Sequence, residues 1–302
     1  MPKKLIQPEP WEGQECWLAR QKPQRSYKEL VIDRITALDA QYFGVQQYGA
    51  LSIDPDRYPL FGIKVGKWDD NKPTFLLTGG VHGYETSGLI GNLQFLENHA
   101  LDYSEHFNIV ALPGISPWSF ETINRLNPLL FNPNREFRHD STCEESTLAM
   151  AFIDSLQGPI DAHMDLHETP ESDRTIFRPE QASIDGTTYE DTPKPDGSYL
   201  ITPETLRMEQ LERAIVASMK KILPIASPDN DGNINSLKMQ HEGVIRYPAG
   251  KGVCMDYTNA ASRLGAFTTE IYPDGEHTTE QDCNDGQVAA IRGFLDHILD
   301  IS

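Results

Sequence analysis

Residues 74–86 read Thr-Phe-Leu-Leu-Thr-Gly-Gly-Val-His-Gly-Tyr-Glu-Thr, and this stretch decides the fold. Thr74–Thr78 is a run of apolar and β-branched residues of the right length for one buried strand, and it stops at a pair of glycines. From Glu85 to His99, Leu89, Ile90, Leu93 and Leu96 fall on one helical stripe. A strand therefore passes through a glycine-rich turn into a helix. Gly79, Gly80 and Gly83 allow tight or positive-φ backbone there and keep the space above the strand end clear. His82 and Glu85, three residues apart on the turn, can bring an imidazole and a carboxylate to one point. Taken alone, the pair also reads as a helix-entry histidine beside a first-turn acid favoured by the helix dipole.

Outward from that turn the pattern repeats. YPLFGIKVG and PTFLLTGG flank the polar segment Lys67–Lys72 as two strands joined by a turn, and FNIVALPG reads as another buried strand. Upstream, Leu30, Ile32, Ile35 and Leu38 have helical spacing between Arg25 and Ala40, with Ser26 as a cap. Downstream come a helix at EESTLAMAFIDSL, a strand at Ile160–His167, helical spacing from Pro203 to Leu223, strands GVIRY and GAFTTEIY, and a last helix from about Thr279 to Leu299. Alternating strands and helices predict an α/β fold: a three-layer α/β/α sandwich around a mixed, mostly parallel sheet. In such sheets ligands sit at the carboxyl ends of the strands. A polar stretch rich in Pro, Asp and Gly, from about Glu168 to Leu200, reads as a long excursion over the surface, and loops of that length are usually functional. With no linker visible, residues 1–302 are expected to form one catalytic domain.

The 302 residues carry 26 Lys+Arg against 45 Asp+Glu, a formal charge of −19. That argues against a nucleic-acid partner, because phosphate neutralisation needs clustered cations. No apolar run approaches the roughly 18 residues of a membrane span. Cys16, Cys143, Cys254 and Cys283 are scattered without a C-x-x-C pair and are expected to be reduced. The opening MPKKLIQPEPWEG lacks the apolar segment of a secretory signal, so a cytoplasmic location and a constitutively active form are expected.

A second cluster lies at Ile160-Asp-Ala-His-Met-Asp-Leu-His167, an apolar and acidic strand ending in His where the excursion begins. Two His and one Glu with a fourth position left for water is the ligand set of catalytic zinc, as in carboxypeptidase. By the two-residue strand period, His163 and Asp165 share a face with His167, which makes His163 a rival ligand and Asp165 an acceptor for a ligand imidazole.

Four ordered motifs, GGVHGYE, FNPNREF, DLHET and FTTEIY, together resemble the zinc carboxypeptidase superfamily, the carboxypeptidase A-like metallopeptidases, with some likeness to the aspartoacylase and succinylglutamate desuccinylase branch. The resemblance implies one Zn2+ per chain held by His82, Glu85 and His167, a substrate carboxylate gripped by Asn134 and Arg135, and Glu270 as general base. It further implies Arg125 polarising the scissile carbonyl, Tyr247 as a mobile-loop tyrosine with Tyr257 and Tyr272 as neighbours, and Met255 at the specificity position. The substrate would be a peptide or an N-acyl amino acid with a free carboxylate, giving a metallocarboxypeptidase or an amidoacid deacylase; the oligomeric state is not readable. Met255 leans towards apolar C-terminal residues, whereas Asp256 would favour a basic one. One departure stands out: the family commonly has an acid two residues before the clamp Asn, and this chain has Asn132, so either the support of a ligand histidine passes to Asp165 or the ligand imidazole is less basic.

Overall fold

The computed structural model describes residues 5–259 and 262–300. Its strands are β1 (Leu5–Ile6), β2 (Phe43–Ala50), β3 (Pro59–Val65), β4 (Thr74–Gly79), β5 (Asn108–Leu112) and β6 (Ala162–Glu168). There follow β7 (Tyr189–Glu190), β8 (Tyr199–Pro203), β9 (Asn233–Ile234), β10 (Leu237–His241), β11 (Val244–Tyr247) and β12 (Ala266–Ile271). Ten of them form one sheet in the order β2-β3-β5-β4-β6-β12-β8-β11-β10-β9, while β1 pairs with β7 in a separate ribbon. The centre, β5-β4-β6-β12, is parallel, and antiparallel pairings flank it. Three strands that carry site residues, β4, β6 and β12, therefore end at the same edge of the sheet.

The two strands on either side of Lys67–Lys72 form, as β3 and β4, but they do not pair with each other, because β5 lies between them. The helix Thr86–Asn98 follows β4, and a helical crossover brings the next strand back parallel, against β4. The far edge of β5 is then free to take β3 in antiparallel pairing.

Alternation along the central strands makes the layers. Phe75, Leu77, Ile109, Ala111, Met164 and Leu166 enter one apolar core, together with Leu89 and Leu93 of helix Thr86–Asn98, Ile215 of helix Glu209–Met219 and Phe294 of helix Glu280–Asp300. Leu76, Val110 and Leu112 enter a second core on the opposite face, packed by Met150, Phe152 and Ile153 of helix Glu144–Asp154. Phe75 stacks on Phe294 at 5.1 Å between ring centroids. On β6, Ala162, Met164 and Leu166 take the first face, so His163, Asp165 and His167 share the second.

The excursion is more structured than its composition suggests. Asp173–Phe177 makes a π-helical turn that runs into the helix Arg178–Asp185, closed by Gly186 at φ 64°. Phe177 is buried and packs on Tyr84 at 4.4 Å, which pins the segment to the strand-end turn. Between Arg25 and Ala40 the helical reading resolves into a π-turn, Lys28–Ile32, and a short helix, Asp33–Ala37, with Ser26 Oγ accepting from the Glu29 N–H at 3.1 Å. All four cysteines are unpaired, and no helix of the described residues is long and apolar enough to cross a membrane.

Candidate metal centre

After β4 the chain reverses at Gly80, whose φ of 64° is left-handed. Gly79 and Gly83 are needed for space instead. A Cβ on Gly83 would overlap the backbone of Ser119 and Phe120, and one on Gly79 would overlap the Gly88 carbonyl. Glu85 then occupies the N-cap position of helix Thr86–Asn98, yet its carboxylate makes no cap bond. The duty falls to Glu168 at the end of β6, which accepts from the N–H groups of Thr86 at 3.2 Å and Ser87 at 2.7 Å. This releases the Glu85 carboxylate for another task.

That task is to face two imidazoles. His82 Nδ1 lies 2.7 Å from Glu85 Oε1, and His167 Nδ1 lies 2.5 Å from Glu85 Oε2. All three side chains are buried, and one ligand atom from each falls within 4.8 Å of the others. The outer nitrogens are tied off separately. His82 Nε2 meets Asn132 Oδ1 at 2.9 Å, and His167 Nε2 meets Asp165 Oδ2 at 2.8 Å. The position with the missing acid thus still supports its histidine, through a neutral carbonyl, while Asp165 supports the other histidine through a carboxylate.

Electrostatics distinguishes the two rings. Burial, followed by Arg125, pushes His82 down to about 4. Burial opposes charge on His167 too, but Asp165 and then Glu85 outweigh it and hold that ring well above the ordinary imidazole range. Burial works against the Glu85 carboxylate, yet His82 and His167 hold it well below its ordinary range.

His163 stands apart from this cluster. Its Nε2 meets Thr78 Oγ1 and its Nδ1 meets Thr258 Oγ1, both at 2.8 Å, and Thr78 also donates to Asp165 Oδ1 at 2.7 Å. With Cys254, His163 and Asp165 form a second buried group of ligand-type atoms, but the two side chains' polar atoms are already hydrogen-bonded. His163 and Asp165 are thus linked through the Thr78 hydroxyl, and His163 does not contact His82, Glu85 or His167 by any hydrogen bond among the described residues.

The cluster opens onto a cavity of about 390 Å³ whose lining includes Arg125, Asn134, Arg135, Tyr247, Met255 and Glu270. His82, Glu85 and His167 line it too, whereas His163, Asp165, Asp256, Tyr257 and Tyr272 do not. Glu270 sits on β12 in register with His167 on β6. Its burial pushes it up to about 8, with His167 pulling the other way. Arg125 lies 3.8 Å from Glu85 Oε1 and is braced by the Tyr84 hydroxyl at 2.5 Å and by Asp173 at 3.1 Å. Asn134 accepts from the Cys254 N–H at 2.8 Å, and its amide nitrogen lies 3.3 Å from His167 Nε2, which makes it a strut between residues 132–135 and β6. Arg135 donates to the Asn134 carbonyl at 2.5 Å, and burial pulls its guanidinium below the ordinary value.

Sequence reasoning missed the polar residues of the excursion. Asp173, Arg178 and Lys194 all line the cavity, and Lys194 Nζ meets Asp173 Oδ2 at 2.7 Å with only 5% of its side chain exposed. Lys194 sits in a Pro, Asp and Gly segment with no periodicity, so nothing local marks it as inward-facing.

Two imidazole Nδ1 atoms and a carboxylate, converging while buried and held from behind, suit a divalent cation of zinc type. Without a cation the same atoms form a buried ion pair, which is costly to desolvate.

No protein-family model and no curated protein matches the sequence. Solved structures do match. A protein provisionally described as a metallopeptidase from Shewanella amazonensis is 19% identical with a TM-score of 0.67, covering 90% of this chain and 91% of that one. Carboxypeptidase A from Helicoverpa armigera is 13% identical with a TM-score of 0.58, covering 91% of this chain and 74% of that one. A metallo-carboxypeptidase from Pseudomonas aeruginosa, solved with (2-guanidinoethylmercapto)succinic acid, is 15% identical with a TM-score of 0.59, covering 91% and 68%. The chain has the metallo-carboxypeptidase fold.

Proposed function

We propose that this protein is a zinc-dependent metallocarboxypeptidase that hydrolyses the C-terminal peptide bond of a peptide. The observation that carries the reading is the convergence of His82 Nδ1 and His167 Nδ1 on the two oxygens of Glu85, at the mouth of a cavity that also contains Glu270 and Arg135. His82, Glu85 and His167 would hold the zinc. Its Lewis acidity is of the kind that lowers the pKa of water from about 15.7 to about 7.

The chain's own residues supply the rest. Glu270, buried at the end of β12, takes a proton from the attacking water and returns it to the leaving nitrogen. A carboxylate pushed up to about 8 in the cation-free state is a strong enough base for this, and a nearby cation draws it back towards ionisation. Arg125, already oriented by Tyr84 and Asp173, offers its positive charge to oxygen that gains negative charge. Arg135 presents a planar fork to the substrate's terminal carboxylate. Ile201, Ile245, Val253 and Met255 give the cavity an apolar wall for the departing side chain.

The test is a screen of N-blocked dipeptides, their C-terminal amides and N-acyl amino acids, each with and without a chelator. Chelator-sensitive cleavage of the free-acid dipeptides alone is expected. Equal turnover of the amides removes the role of Arg135; preference for N-acyl amino acids makes the enzyme a deacylase; activity indifferent to chelator overturns the zinc reading.

A further inference from the structure

Glu270 is not an isolated carboxylate. Its Oε2 accepts from Thr169 Oγ1 at 2.6 Å; Thr169 Oγ1 lies 2.9 Å from the Tyr199 hydroxyl; and Asn235 Nδ2 donates to that hydroxyl at 2.9 Å. With Glu270 ionised, the direction is fixed along the line. The single Thr169 proton is committed to Glu270, so Thr169 accepts from Tyr199, whose oxygen in turn accepts from Asn235. Thr169 and Tyr199 are buried, and Tyr199 Oη has no other hydrogen-bond partner among the described residues.

Asn235 arrives by an unusual route. It is the first residue of a two-residue hairpin loop, Asn235-Ser236, between β9 and β10, with Ile234 opposite Leu237. Both loop residues have positive φ, 46° and 66°, as a type I′ turn requires. Asn suits the first of these positions, whereas Ser at the second is strained where glycine is usual. The hairpin is held with its tip at the cavity, where Asn235 is part of the lining.

We infer that Asn235, Tyr199 and Thr169 form a one-way hydrogen-bond chain that positions Glu270, so that the hairpin tip is a remote part of the catalytic apparatus. The three act through Glu270 and are positioning residues. Aligned donors along the chain hold the Oε2 oxygen in place and leave Oε1 outside the chain. Thr169 closes the DLHET motif and Tyr199 opens β8, whereas Asn235 is brought in by the geometry of the hairpin loop.

The inference rests on Glu270 being the base, and the experiment separates the two. Purified zinc-loaded wild type, Glu270→Gln, Tyr199→Phe, Asn235→Gly, Thr169→Val and Thr169→Ser are compared for kcat and KM on the best free-acid dipeptide. Metal content and thermal midpoint are measured on each. Asn235→Gly is informative because glycine accepts a φ of 46° without cost and removes only the amide. Expected are a fall of about tenfold in kcat for Tyr199→Phe and Asn235→Gly at unchanged KM and metal content, a larger fall for Thr169→Val, and near-complete rescue in Thr169→Ser. Changes confined to KM, or wild-type kcat in Tyr199→Phe and Asn235→Gly beside an inactive Glu270→Gln, overturn the chain but leave the base intact. An active Glu270→Gln overturns the base and the chain together.

Discussion

Exchanging the supports behind the two histidines should move zinc affinity in opposite directions. His167 Nε2 is held at 2.8 Å by the Asp165 carboxylate, and His82 Nε2 at 2.9 Å by the Asn132 carbonyl. A charge-assisted hydrogen bond contributes about 1.5–3 kcal/mol and a neutral one about 0.5–1.5 kcal/mol. The difference, about 1.4 kcal/mol, is tenfold in Kd. Asp165→Asn should therefore weaken zinc binding about tenfold, at the lower end of the range known for such supporting residues. The packing survives the change, because Thr78, no longer donating to Asp165, can turn its hydroxyl to His163 Nε2 at 2.8 Å. Asn132→Asp should tighten binding by a similar factor, since a carboxylate keeps both bonds that Asn132 Oδ1 accepts, from His82 and from the Asn134 N–H at 3.1 Å. The double variant should return to within about threefold of wild type if the two sites are additive. Competitive titration against a chromogenic chelator at neutral pH reads all four proteins. Shifts in the same direction, or no shift in either single variant, would refute the reasoning.

Three further outcomes are expected. Glu270→Gln should retain zinc with near-wild-type affinity and lose at least about a hundredfold in kcat, read by steady-state assay beside metal analysis. Zinc uptake near neutral pH should release a proton from His167, because that ring is held above its ordinary range in the cation-free protein and must give up the Nδ1 proton to bind, and up to one more from Glu270, which is pushed up to about 8 without the cation and ionises beside it. Apparent affinity should then rise by more than about tenfold per pH unit while both groups are protonated in the cation-free protein, and calorimetry in buffers of different ionisation enthalpy counts the protons. Gly83→Ala should destabilise the protein by about 1–3 kcal/mol or more and lower zinc occupancy, because a Cβ there overlaps the backbone of Ser119 and Phe120; differential scanning fluorimetry checks it.

The fold was legible because the central strands are buried on both faces and read as short runs rich in apolar residues and Thr between glycine and helix signals. Thr74–Gly79, Asn108–Leu112 and Ala266–Ile271 are of this kind. The order of strands was not legible, because β3 and β4 have the look of a hairpin and only the crossover helix shows why β5 intervenes. At the site, His82, Glu85 and His167 were readable because their spacing coincides with strand ends. Glu168 was read only as the start of the excursion, and its service as a cap for the helix beginning at Thr86 depends on a contact across the sheet. Asp173, Lys194, Thr169, Tyr199 and Asn235 were silent for the same reason, since each acts through partners far away in sequence.

The central claim is one cation between His82, Glu85 and His167. Crystals of protein purified without chelator and never supplemented with metal, measured on both sides of the zinc absorption edge, address it directly. The expected result is a single anomalous peak per chain, within bonding distance of His82 Nδ1, His167 Nδ1 and Glu85, that vanishes below the edge. No peak there after soaking with zinc, or a peak only at His163, Asp165 and Cys254, would contradict it.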